Sequence, residues 1–120
     1  MDEKLWLVVQ YPLKSIRGNK RDYWLKDKVM DYLEIFLHDA ELGYVDGFDM
    51  GRSKTNPNRF VLNIFCVVTH EKRSITLVKK VLRDYRLDYT KIKIATMAYE
   101  NWERYLLKYS YKKGITNFEL

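Results

Sequence analysis

The run Arg59-Phe60-Val61-Leu62-Asn63-Ile64-Phe65-Cys66-Val67-Val68-Thr69 constrains the fold more than any other part of the chain. In an extended strand Phe60, Leu62, Ile64, Cys66 and Val68 share one face, and Val61, Asn63, Phe65 and Val67 share the other. A strand apolar on both sides belongs inside a sheet whose two faces are covered. The rest of the chain must therefore supply neighbouring strands and two lids.

Lys4 to Tyr11 reads as a second such strand, with Leu5, Leu7 and Val9 alternating with Trp6, Val8 and Gln10. Pro12 is expected to end its ladder, since it has no N–H to donate. From Asp22, read as the N-cap, Leu25, Val29, Tyr32, Leu33, Phe36, Leu37 and Ala40 recur at three- and four-residue steps and predict a long helix closed by Gly43. Gly43 to Met50 is a weaker strand, followed by a loop ending in Asn56-Pro57-Asn58. Ser74 is expected to cap a second helix that buries Leu77, Val78, Val81, Leu82 and Tyr85. In Asp88 to Ala98, Ile92 and Ile94 alternate with Lys91 and Lys93, the pattern of an edge strand. Glu100 to Lys108 is read as a terminal helix with Trp102, Tyr105, Leu106 and Tyr109 on one side, and the residues from Lys112 as a fraying tail.

This order predicts one α+β domain over residues 1–120, a ferredoxin-like split βαβ unit (βαββαβ) with a four-stranded antiparallel sheet and an additional C-terminal helix. Its two main helices would cover one sheet face. Trp6, Val8, Phe65 and Val67 would need a separate lid, either the terminal helix or a second copy in a homodimer.

Charge is divided unevenly. Residues 1–50 hold seven Lys/Arg against ten Asp/Glu, whereas residues 51–120 hold fifteen against six, for a net +6. Such asymmetry points to an acidic partner, either a protein surface or nucleic acid. No apolar run reaches the ~20 residues of a membrane helix, and the acidic start lacks the features of a signal peptide. A single cysteine allows no internal disulfide and fits a reducing compartment.

Residues with catalytic potential are few. His38 and His70 lie far apart, and no Cys/His spacing of the zinc type occurs. Cys66 sits among core residues, and His70-Glu71 reads as a solvated turn. Asp46 and Asp49 could hold magnesium, as in a small nuclease, only if the backbone bends between them, because residues three apart on a strand face opposite ways. No phosphate-cradling glycine loop or nucleophile elbow is present. The expectation is a protein without catalytic residues, metal or cofactor. Tyr99, Trp102, Tyr105, Tyr109 and Tyr111 intermingle with Arg104, Lys108, Lys112 and Lys113, which makes nucleic-acid binding by the basic half the second reading.

The segment Glu41-Leu42-Gly43-Tyr44-Val45-Asp46-Gly47-Phe48-Asp49-Met50-Gly51, leading through Asn58 into Phe60–Val68, resembles the middle of small ferredoxin-like immunity proteins of bacterial polymorphic toxin and contact-dependent growth inhibition loci. The resemblance covers about the middle third of the chain. It implies a cytoplasmic toxin inhibitor that binds one cognate toxin domain stoichiometrically and occludes it without catalysis. Richness in Arg, Tyr and Trp agrees in kind with a protein-binding surface. The partner-binding candidates are Arg17, Lys20 and Arg21 in the first loop, Arg52, Lys54 and Arg59 near the hairpin, and Lys72 and Arg73 before the second helix.

Overall fold

The structure is a computed structural model and describes residues 3–54, 56–100 and 104–120. The chain runs β1 (Leu5–Leu13), α1 (Lys20–Asp39), β2 (Gly43–Arg52), β3 (Phe60–Val68), α2 (Glu71–Asp84), a 3-10 turn (Tyr89–Lys91), β4 (Lys93–Ala98) and β5 (Leu106–Ser110). The five strands form one antiparallel sheet in the order β2-β3-β1-β4-β5. β3 lies between β1 and β2, so the arrangement is an α+β fold broadly compatible with a ferredoxin-like unit. It differs from the predicted four strands plus terminal helix by its fifth strand.

β3 is interior, as its sequence demands. Both of its faces are buried except at Phe60 and Phe65, which are partly covered. The helices share one face of the sheet. There Leu7, Val9 and Tyr11 of β1, Leu62, Ile64, Cys66 and Val68 of β3, and Ile94 of β4 meet Leu25, Val29, Leu33 and Leu37 of α1 and Val78, Val81 and Leu82 of α2. Each such side chain contributes roughly 1.5–3 kcal/mol through removal from water. The Tyr11 hydroxyl reaches through this core to donate 2.7 Å to the Leu87 carbonyl.

Several element ends depart from expectation for identifiable reasons. β1 continues through Pro12 to Leu13 because β4 stops pairing at Gln10, so the missing N–H faces no neighbour. The N-cap of α1 is Asn19, with Asp22 three residues later completing a capping box: each side chain accepts from the other's backbone N–H at 2.9 Å. At the other end of α1 the left-handed residue is Glu41 (φ 56°), not Gly43. Gly43 instead begins β2 so close to β3 that a Cβ there would lie 2.0 Å from the Val67 carbonyl oxygen. α2 starts at Glu71 after a left-handed His70, and the buried Ser74 donates 2.6 Å to the Thr69 carbonyl rather than capping. Tyr85, expected in the core, is exposed and stacks on Tyr32 with ring centroids 4.2 Å apart.

The largest correction concerns the C-terminal region. Leu106–Ser110 is a strand paired to β4, so β4 is interior rather than an edge, and no terminal helix is present among the described residues. Trp102, assigned to that helix, lies outside the described residues. Residues 115–120 do not fray but return across the sheet face opposite the helices. Gln10 Nε2 donates 2.8 Å to the Glu119 carbonyl, Lys54 N donates 2.9 Å to the Leu120 carbonyl, and Phe118 packs 6.0 Å from Tyr105. Val8, Val61, Val67 and Ala95 are buried on this face, and Phe118, Glu119 and Leu120 of the segment line a cleft there with Trp6, Phe65 and Tyr105. No helix among the described residues is long and apolar enough to cross a membrane.

Candidate functional site

The eight partner-binding candidates are all exposed, and the fold divides them. β1 ends at Leu13 beside Phe60, which pairs in turn with Arg52. The β1–α1 loop and the β2–β3 hairpin therefore emerge at one end of the sheet, bringing Arg17, Lys20, Arg21, Arg52, Lys54 and Arg59 to the same end. Gly18 (φ 67°) lets that loop run against β2, where a Cβ would lie 2.7 Å from Met50 Sδ. Lys72 and Arg73 follow the far end of β3 and belong to the opposite end.

At the six-cation end the charges are set among aromatic rings. Arg21 lies 4.5 Å over the Trp24 ring and pairs with Asp88 at 2.9 Å. Lys26 lies 4.4 Å over Phe48 and 5.8 Å from Tyr23. Tyr23, Trp24 and Phe48 remain 46%, 44% and 42% exposed, and Ile16 in the adjoining loop is also exposed. Tyr23, Trp24, Lys26 and Phe48 are not among the candidates that the sequence pattern offers. The available signal was that Tyr23 and Trp24 fall outside the Leu25–Val29–Leu33–Leu37 stripe, so nothing in the core uses them.

A second feature lies on the sheet face under segment 115–120. A cleft of about 570 Å³ is lined by Trp6, Phe65, Met97, Tyr105 and Phe118, with Asp46, Lys54, Arg104 and Glu119 at its polar margin. A β-bulge between Val45 and Gly47 supplies the bend that the carboxylate pair needed, and it turns Asp46 toward the same face as Asp49. Asp49 is already engaged, accepting 2.8 Å from Asn63 Nδ2. Burial, then the charges of Asp49 and Asp46, push the Tyr105 hydroxyl up to about 12, so it stays a protonated donor. Among the described residues no group of three or more His, Cys, Asp or Glu is placed to hold a metal ion.

Cys66 is fully buried on the helix side, and its thiol is pushed up to about 12, first by burial and then by Glu34 and Asp46. At neutral pH it is a packed thiol, without the thiolate a nucleophile requires. Glu71 turns inward, accepting 3.0 Å from Thr96 Oγ1 and lying 3.6 Å from Lys108 Nζ. The C-terminal aromatic and basic residues are dispersed by the fold. Tyr99 stacks on Trp6 at 5.3 Å, Tyr105 enters the cleft, Tyr109 lies under Lys79 at 4.0 Å, and Tyr111 meets Tyr89 edge-on.

Against this geometry, no protein-family model, no curated protein and no solved structure matches the chain.

Proposed function

We propose that this chain is a non-catalytic immunity protein that binds and neutralises a cognate bacterial toxin domain in the cytoplasm by occlusion. We read its sheet as a ferredoxin-like unit extended by β5. The observation that carries the reading is that exposed rings on and beside the first turns of α1 sit against cations, Trp24 under Arg21 and Phe48 and Tyr23 beside Lys26, with exposed Ile16, Arg17 and Lys20 in the adjoining loop. Large apolar rings beside Arg are the residue types that supply most of the energy in protein interfaces, because they exclude water around a desolvated charge. Arg21 is held in place by both Asp88 and Trp24, which reduces the entropy lost when it is immobilised by a partner. The cationic frame suits an acidic surface, such as the carboxylates of a metal-dependent nuclease.

The test is co-expression with the product of the adjacent gene, followed by purification and a survival assay. A stoichiometric complex and protected cells are expected. Trp24→Ala and Arg21→Glu should each weaken the complex by about 30-fold or more. Absence of both complex and protection overturns the reading.

A further inference from the structure

The outward face of α2 carries more positive charge than its own helix favours. Lys72, Arg73, Lys79, Lys80 and Arg83 lie on a 14-residue helix whose inward residues Ser74, Val78, Val81 and Leu82 are buried against the sheet. At 100° per residue Lys72, Lys79, Lys80 and Arg83 fall within an arc of about 100°, and Arg73 flanks it. They extend about 16 Å along the axis. Lys72 and Arg73 sit in the first turn, where the helix dipole disfavours cations. Lys79 and Arg83 are like charges one turn apart, also unfavourable. Asp84 is the acid that answers this row, accepting from Lys80 and lying 3.8 Å from Arg83. Glu71 points instead toward Thr96 and Lys108. No described acidic side chain pairs with Lys72, Arg73 or Lys79.

Beside this row the fold places aromatic surface. Lys79 Nζ lies 4.0 Å from the Tyr109 ring centre on β5. Tyr111 is 46% exposed and braced edge-on by Tyr89 at 5.9 Å.

We propose that the outer face of α2, with Tyr109 and Tyr111 of the adjoining β5 side, is a docking track for single-stranded nucleic acid. Phosphates lie along the Lys72–Arg83 row and an unstacked base rests on Tyr111. A linear polyanion matches a straight row of cations, and aromatic faces beside it accept bases without sequence preference. A folded acidic protein is the poorer match, because the row has no exposed apolar anchor at its centre. A membrane surface is also poorer, because the apolar face of α2 is already consumed by the sheet. The track begins at the end opposite Trp24 and its Arg83–Tyr111 end approaches the Arg21–Asp88 pair, but it shares no residue with the Trp24 surface and stands independently of the toxin-binding reading.

The test is fluorescence anisotropy of the full chain with labelled single-stranded oligonucleotides of about 20 residues, between about 50 and 200 mM salt. Binding should fall with a log–log slope of about −3 to −4, as expected for five phosphate contacts on a single strand. The K72Q/R73Q/R83Q variant should lose at least about tenfold in affinity and flatten the slope by about 2. Tyr111→Ala should weaken binding with the slope unchanged. R17Q/R21Q/R52Q, outside the row, should bind within about twofold of the parent, and K79Q/K80Q/R83Q should still protect cells from the toxin. Equal affinity for polyglutamate of the same charge overturns the proposal. So does tighter binding to phosphatidylserine vesicles, a slope unaffected by the α2 substitutions, or no binding at about 50 mM salt.

Discussion

Gln10 Nε2 donates 2.9 Å to Asn63 Oδ1 across the β1–β3 register, both side chains being almost fully buried on the sheet face opposite the helices. The chain of bonds continues in both directions. Asn63 Nδ2 donates to Asp49 on β2, and Gln10 Nε2 also donates to the Glu119 carbonyl of the returning segment. The ladder thus ties three strands to the lid that covers them. Asn63→Leu is expected to cost about 1–3 kcal/mol, because it removes one of the two acceptors of the buried Gln10 amide and leaves only the Glu119 carbonyl. Gln10→Leu/Asn63→Leu should recover most of that loss, since both buried amides are gone and the acceptors they leave, Asp49 and Glu119, are exposed to water. Urea titrations of the two variants check this, and hydrogen exchange in residues 115–120 should quicken whenever Gln10 is replaced.

Gly43 provides a sharper test of local packing. A methyl group at this position would lie 2.0 Å from the Val67 carbonyl and 2.8 Å from Val68 Cα, both backbone atoms that cannot rotate away. Gly43→Ala should therefore destabilise by about 3 kcal/mol through forced separation of β2 from β3. Gly47→Ala, with nothing within 4 Å, should cost far less. Thermal unfolding of the two variants separates close approach from a general need for glycine in β2.

What the sequence reveals follows from how local each cause is. The Leu25–Leu37 stripe and the two-faced β3 were legible because their periods are written in consecutive residues and a packed core satisfies both. β5 was not. Trp102, Tyr105, Leu106 and Tyr109 satisfy a helical spacing, while Leu106–Ser110 can equally extend, and the choice is made by pairing to the open edge of β4, which the periodicity of the segment itself does not register. The bulge that turns Asp46 onto the Asp49 face is likewise invisible, since one extra residue reverses every side chain beyond it. The eight cations were correctly read as exposed, but charge alone does not say which loops meet. Their division into six and two came only with the topology.

The capping box at the head of α1 predicts a measurable link between helix stability and partner binding. Asn19→Ala removes the acceptor for the Asp22 N–H and should cost about 1 kcal/mol. Asp22→Ala removes the reciprocal bond and a favourable charge in the first turn, with a cost of similar size. Because this turn carries Lys20, Arg21, Tyr23 and Trp24, either change should also weaken partner binding without touching an interface side chain. Calorimetric titration of the two cap variants, compared with an exposed mid-helix change such as Asp31→Asn, isolates the effect.

Alkaline pH should unfold the chain through two buried groups. Burial raises the Cys66 thiol from 9.0 to about 12, and it raises the Tyr11 hydroxyl further, with Asp88 adding to the effect. Both groups lose their protons more readily in the unfolded chain, so the stability they contribute is complete below about pH 9 and declines as pH climbs toward the folded values. Each group should steepen the decline by up to about 1.4 kcal/mol per pH unit, Cys66 from about pH 9 and Tyr11 from about pH 10. Urea midpoints measured from about pH 8 to 11 should therefore fall in two stages. Cys66→Ala lowers the whole curve by leaving a small cavity but removes the first stage, delaying the onset by about one pH unit. An onset unmoved by that substitution would assign the alkaline loss to Tyr11 and Tyr105 instead.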